Sequence, residues 1–225
     1  MGDLSTWSAR QAPDLQPIKG SYIAVEPAAF PDHTMSLYAV LGGAKNNDLW
    51  SHVAMGPWAN AELFRKAMTG YAEGDGWKTH IFRDVNSSDL LGMASYMRIR
   101  PAEGSAEVGC VVFSKKLQRT IAATEAMYLM ARHVFDDLGY RRYEWKCDNV
   151  NEPSKRAALR LGFTFEGVFR QDMVVKGQNR DTAWFSITDG EWPRVKSAFE
   201  AWLAPENFDG EGDQKRSLSD IRADL

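Results

Sequence analysis

The sequence predicts an α/β (α+β) fold, a mixed and mostly antiparallel sheet with one parallel strand pair at its centre and helices on its faces. Three observations predict it. Residues 77–83, 90–99 and 106–113 are strand-like runs joined only by Asn86-Ser87-Ser88-Asp89 and the turn-like residues 101–105, which suits an antiparallel meander. A long helical period over about residues 122–138 then separates the third run from a strand at 141–147, which makes a right-handed parallel crossover the expected connection. Finally, two runs at 163–175 and 181–188 flank Lys176-Gly177-Gln178-Asn179, a hairpin signal.

Taken in order, residues 1–17 read as a polar arm with Trp7 as its aromatic anchor, and residues 18–204 as one domain. Ser21-Tyr22-Ile23-Ala24-Val25 is a short strand ended by Glu26-Pro27. A helix comes next over 30–40, with Asp32 near its start and Gly42-Gly43 closing it. Residues 46–60 are rich in aromatic and sulfur side chains without clean periodicity, and Gly56-Pro57 marks a turn. There Trp50, Met55 and Trp58 either plug the core or wall a pocket; with Trp184 they are the candidate acceptor-binding residues. A helix over 61–71 precedes Gly74-Asp75-Gly76. Residues 148–162 form a turn and a short helix, with Asn151 or Glu152 as cap, Pro153 in the first turn and Gly162 as terminator. A last helix covers 192–203. Residues 205–225 are acidic and poor in large apolar groups, so a mobile polar tail is expected, with a short helix near 218–221.

Composition narrows the function classes. A 225-residue chain with 44% apolar residues can bury a sizeable core. A net charge of −3 argues against a general nucleic-acid binder, whose affinity would rest on a basic surface. Cys110 and Cys147 each sit in an apolar strand-like run, as reduced buried thiols do, and neither an apolar leader nor a membrane-spanning run is present; a soluble cytoplasmic protein is expected. His33, His52, His80 and His133 have no paired metal spacing, so no metal is expected.

The chemistry concentrates at the junction of strand 106–113 and the long helix. Ser114-Lys115-Lys116-Leu117-Gln118-Arg119-Thr120 leads into Ala122-Ala123-Thr124, and a helix start leaves about four N–H groups without intrahelical partners under roughly half a positive charge. Small residues and mobile cations at such a start suit a phosphate or pyrophosphate. An ordinary capped crossover helix, with Thr120 as N-cap and solvated lysines, is the other reading.

Two further stretches choose between them. Gln118–Ala126 reads QRTIAATEA and residues 151–167 read NEPSKRAALRLGFTFEG; their order and spacing resemble the GNAT N-acetyltransferases, most closely the branch with the ribosomal-protein alanine acetyltransferases. The similarity spans about residues 18–203. It implies acetyl-CoA as co-substrate, held between two splayed parallel strands that end near Phe113 and Cys147. The pyrophosphate would rest on the backbone of Gln118, Arg119, Thr120, Ala122, Ala123 and Thr124. By the same resemblance Asn151 matches a residue that holds the pantetheine arm, and Ser154 one that protonates the departing thiolate; plain helix capping is the alternative for both. This chain lacks the glycines usual in the family's connector, so a loop built only from α and β conformations is expected. Lys155, Arg156 and Arg160 read as a solvated helix face, one of which could meet the adenosine 3′-phosphate.

The implied reaction is direct acetyl transfer to a primary amine, either a protein N-terminus or a small molecule, by a monomer or homodimer. An α-amine of pKa about 8 is roughly 10% neutral at pH 7, whereas a lysine near 10.4 must lose about 3.4 units. The first demands little of a base. Glu107 and Asp172 are the candidates, although strand alternation would place Met173, not Asp172, toward the site; water-mediated deprotonation is the third option. A backbone N–H near Phe113 would polarise the carbonyl. A non-catalytic acyl-CoA-binding regulatory module is the alternative from a different class.

Overall fold

The computed structural model describes residues 4–13, 16–30 and 32–225. Eight strands form one sheet in the order β1-β2-β3-β4-β5-β6-β8-β7. They are β1 (Ile18–Lys19), β2 (Ile23–Pro27), β3 (Lys78–Asp84), β4 (Leu90–Arg100), β5 (Ser105–Phe113), β6 (Arg142–Asp148), β7 (Thr164–Val175) and β8 (Gln178–Thr188). Every neighbouring pair is antiparallel except β5 and β6. The meander, the parallel crossover and the hairpin expected from the sequence are all present. The hairpin turn is the two residues Lys176 and Gly177, both at positive φ (50° and 74°), which matches the twist of the flanking strands.

The helices are α1 (Thr34–Leu41), α2 (Ala61–Gly74), α3 (Ile121–Arg132), α4 (Glu152–Arg160), α5 (Trp192–Leu203) and α6 (Leu218–Ala223). One sheet face packs Ile23, Phe82, Tyr96 and Val108 against Ala126, Met130 and Val134 of the crossover helix and Val195 and Phe199 of α5. The other packs Ile81, Met93 and Val112 against Leu37 and Leu41 of α1 and Phe64 and Met68 of α2. The long helix expected to reach residue 138 stays α-helical only to Arg132. It continues as one π turn over His133–Asp137, and Gly139 at φ 67° ends it.

The parallel pair is short. Ser105–Val108 pair with Arg142–Trp145, and beyond them β5 stays with β4 while β6 stays with β8. A β-bulge drives the divergence. Ser95 pairs with Gly109 but Met93 with Val112, so one extra β5 residue is accommodated where Cys110 takes φ 47°. β4 passes this kink closely because Gly92 has no side chain; a Cβ there would lie 2.7 Å from the Val112 carbonyl oxygen.

Residues from both terminal regions, around Trp7 and over 205–225, pack onto this body. Trp7 donates its indole N–H to the Ala102 carbonyl at 2.7 Å, and its ring carries the guanidinium groups of Arg10 and Arg141. Residues 205–225, expected as a mobile polar tail, instead return across α4: Leu218 and Ile221 are buried, and Arg222 donates to the carbonyls of Arg160 and Leu159 at 2.8 Å each. Two apolar residues at helical spacing and one arginine anchor a segment whose composition is otherwise that of a tail. Among the described residues no helix is long and apolar enough to cross a membrane, and no group of three His, Cys, Asp or Glu residues is placed to hold a metal ion.

Candidate active site

Divergence of β5 from β6 opens a groove of about 920 Å³ on the α3 face. Phe113, Gln118, Arg119, Thr120, Ala123 and Thr124 line one wall, and Asn151, Ser154 and Arg160 the other. The residues that the sequence nominated for cofactor contact therefore converge, apart from Ala122, which is half-buried beside them and does not line the groove.

The connector reaches this position by a conformation the sequence argued against. Arg119 has φ 63°, so the glycine-free loop does use the left-handed region. Thr120 then caps α3, accepting from the Ala123 N–H at 3.1 Å while its hydroxyl donates to the Leu117 carbonyl at 2.7 Å. The N–H groups of Arg119, Ile121 and Ala122 have no acceptor among the described residues. Arg119 and Ile121 line the groove, so the α3 start turns free N–H groups and the positive end of its dipole toward it, the chemistry that suits an anion.

Across the groove, Asn151 caps α4 through its Oδ1, which accepts from the Ser154 N–H at 3.1 Å. Its side-chain amide N–H groups have no acceptor among the described residues. Ser154 Oγ accepts from the Trp145 indole N–H at 3.0 Å, which leaves its own hydroxyl proton to be donated. Capping and ligand contact are thus compatible roles for Asn151, the first using its oxygen and the second its nitrogen.

Arg160 is the residue whose setting differs most from expectation. Its guanidinium is not on a solvated face; it donates to Thr124 Oγ1 at 3.1 Å and lies 5.0 Å from the centroid of the Trp202 ring. It makes no ion pair among the described residues. Burial, with a contribution from the like charge of Arg222, pulls its proton affinity below the usual arginine range. Trp202 of α5 and, from the returning C-terminal segment, Phe208 and Gln214 also line the groove. Sequence reasoning missed these three because Trp202 and Phe208 signal only as aromatic residues at and just beyond the end of a helix, and Gln214 gives no signal at all.

The opposite face of the splay presents a second constellation. Glu107 of β5 and Glu144 of β6 lie side by side in register. Lys146 bridges them at 2.9 Å each, Arg98 holds Glu107 at 2.7 Å, and Arg100 and Arg142 hold Glu144 at 2.6 and 2.8 Å. Burial alone would raise the Glu144 carboxyl, but Arg142, Lys146 and Arg100 reverse that and hold it below the usual carboxylate range. Glu107 is 3% exposed with both oxygens committed to cations, the setting of a structural carboxylate more than of a proton acceptor.

Asp172 stands differently. A second irregularity, between Phe169 and Met173 with Gln171 at φ 52°, resets the alternation of β7. Asp172 and Met173 consequently line the same cavity of about 240 Å³, together with Trp184. The simple alternation that pointed Asp172 away does not hold. Of the other acceptor candidates, Trp50 is fully buried, donates its indole N–H to the Leu41 carbonyl at 2.7 Å and packs edge-on to Trp58 and Phe64; it is a core plug. Trp58 supports it at the surface of the same cluster, and Met55 touches Cys110, sulfur to sulfur, at 3.9 Å. Burial pushes the Cys110 thiol up to about 12 and raises that of Cys147 as well, so neither cysteine is a thiolate nucleophile near neutral pH.

Comparison with known proteins agrees with this geometry. Residues 31–164 match the acetyltransferase (GNAT) domain family. A crystal structure of a GCN5-related N-acetyltransferase from Brucella melitensis superposes with a TM-score of 0.94 at 43% identity, covering 99% of this chain and all of that one. A GNAT-family protein from Chromobacterium violaceum superposes at 0.81 with 36% identity over 86% of this chain and 96% of its own. A ribosomal-protein-serine acetyltransferase of Escherichia coli is 30% identical over 91 residues, 40% of this chain and half of that enzyme.

Proposed function

The chain belongs to the GNAT acetyltransferase family, and on that premise we propose that it moves the acetyl group of acetyl-CoA directly to a primary amine that enters from the face opposite the groove. The observation that carries this reading is the groove itself, with N–H groups of the α3 start and, on its wall, a guanidinium that has no carboxylate partner among the described residues. Both call for an anionic ligand, and acetyl-CoA offers a pyrophosphate and a 3′-phosphate. The N–H groups of Arg119, Ile121 and Ala122 would hold the pyrophosphate, Arg160 a phosphate oxygen, and the Asn151 amide a pantetheine carbonyl.

Acetyl-CoA supplies an activated thioester. The residues of this chain have three tasks around it. The β5 backbone beyond Val108, freed from β6 by the splay, offers N–H groups toward the acetyl carbonyl oxygen. Ser154, whose oxygen is engaged by the Trp145 indole, has its hydroxyl proton available for the leaving sulfur. Asp172, with no cationic partner among the described residues, is better placed than the ion-paired Glu107 to receive a proton from the amine. A buried neutral thiol at Cys110 and another at Cys147 favour attack by the amine itself over a covalent acetyl-enzyme.

The test is release of free CoA thiol from acetyl-CoA in the presence of a panel of amines, with calorimetry of CoA binding run in parallel. Amine-dependent thiol release supports the enzyme. Tight CoA binding without turnover on any amine would favour a binding module instead. Ser154→Ala should lower kcat by about tenfold, less than the 10²–10⁴ typical of general catalysis, because a thiol of pKa about 8.5 is already a fair leaving group. An undiminished kcat would remove the acid role.

A further inference from the structure

The acceptor face carries a cavity whose donors have no acceptors. Arg180 Nε, Thr182 Oγ1 and Trp184 Nε1 are each buried without a hydrogen-bond partner, and all three residues line the same 240 Å³ space. They sit at alternate positions of β8, so strand periodicity puts them on one sheet face. Thr182 is only 2% exposed. Unpartnered buried polar atoms are uncommon because each forgoes its hydrogen bonds to water without replacing them, and three on residues lining one space point to a site and not an accident of packing.

The chemistry of these groups selects the ligand. An indole N–H and a guanidinium only donate, and a threonine hydroxyl can donate. Lys146, whose ammonium lies 3.6 Å from the Trp184 ring centroid, and Arg98 add positive charge to the same wall. Arg180 has no acid partner among the described residues, whereas Lys146 and Arg98 are already paired with Glu107. The complement is a group that only accepts, is planar and is negative, which describes a carboxylate. On the rim of the same cavity stands Asp172, the opposite sign, suited to an ammonium. At about 30 Å³ per water the space equals about eight waters, enough for a small molecule and too little for a folded loop.

Position ties the cavity to the reaction. Lys146 directly succeeds Trp145, the last β6 residue paired with β5, so the cavity opens where the two strands part. Arg180 is also near enough to act on the Cys147 thiol one residue further along β6. We propose that this cavity is the acceptor subsite and that the acceptor carries a carboxylate close to its amine, as an amino acid does, with Arg180, Thr182 and Trp184 holding the carboxylate and Asp172 facing the amine. This inference rests on the acetyltransferase reading and narrows it: a polycationic amine would meet the wrong charge.

Two measurements test it. In the turnover assay, free amino acids are compared with their carboxamides and with spermidine, and C-terminally amidated peptides beginning Ala-Asp or Ala-Glu with those beginning Ala-Lys. The free amino acids should exceed their amides by tenfold or more in kcat/KM, and Arg180→Gln should erase that preference while Arg180→Lys restores part of it. A preference seen only among the acidic peptides would assign the carboxylate to a protein side chain and overturn the amino-acid assignment. Equal rates for acids and amides, or a preference for spermidine, would overturn the subsite altogether. Independently of turnover, calorimetry with CoA present compares an N-acetyl amino acid with its amide. Binding of the acid alone, weakened about tenfold by Thr182→Val or Arg180→Gln, supports the subsite even if no amine is acetylated; equal binding of both refutes it even if the protein proves to be an acetyltransferase.

Discussion

Replacing Arg160 by methionine should separate ligand binding from folding. In the wild type the guanidinium is removed from most solvent, held by a single neutral hydrogen bond to Thr124 and by the face of Trp202, with no carboxylate beside it. The fold itself disfavours the charge, since burial and Arg222 lower its proton affinity. Methionine has similar length, returns the desolvation cost and gives up the bond and the ring contact, so the stability of the free protein should change by no more than about 1 kcal/mol in either direction. A hydrogen bond to a charged group is worth roughly 1.5–3 kcal/mol, or about 10- to 150-fold in affinity. The open groove screens this one, so the lower end applies. Calorimetry of CoA should therefore show Kd raised about tenfold with a shallower salt dependence, while the thermal midpoint of the free protein stays within about 4 °C. A Kd within twofold of wild type would show that Arg160 is not a phosphate ligand. A large drop in the midpoint would show that the guanidinium is structural and that the desolvation reasoning is wrong.

Asn151→Asp keeps the oxygen that caps α4 but removes the amide donors, so melting should be unchanged while KM for acetyl-CoA rises about fivefold or more; an unchanged KM would leave Asn151 as a cap alone. Trp50→Ala removes a fully buried indole and should cost about 3–5 kcal/mol in urea unfolding, with the amine KM of the folded fraction unaltered; a selective rise in that KM would return Trp50 to the acceptor site. Acid should weaken the fold through the splay network. The folded-state carboxyls of Glu144 and Glu166 lie below their unfolded values, so their contribution is full above about pH 4.3 and is lost as pH falls through the folded values. Urea midpoints measured between pH 6 and pH 3 should fall, and Arg142→Gln should flatten that dependence because Arg142 bonds both carboxylates.

Elements with strong local signals were legible from the residues alone. The meander, the crossover and the terminal helix come from periodicity and turn residues, and α5 runs over the residues expected of it. The start of α3 was legible as local chemistry, whereas the places of Asn151 and Ser154 at the groove came from the resemblance to the GNAT family. Other features depended on single-residue backbone states. Cys110, Arg119 and Gln171 all take positive φ without being glycine, and each redirects the chain beyond it, setting in turn the splay of β5, the entry into α3 and the face of Asp172. Composition gives no warning of such residues, since the surrounding packing imposes them.

By itself the sequence determined the order of strands and helices along the chain and the Thr120 cap, which rest on residues close along the chain, while the order and spacing of two motifs carried the resemblance to the family. Only the tertiary structure decided that Arg160 is half-buried against Trp202, that residues 205–225 wall the groove, that Trp50 belongs to the core, and that Arg180, Thr182 and Trp184 share one cavity with Asp172. Each of those facts joins segments distant in sequence or turns on which face of a strand survives a bulge. Burial and pairing, which set the charge and hydrogen-bonding capacity of a side chain, are properties of that assembled surface.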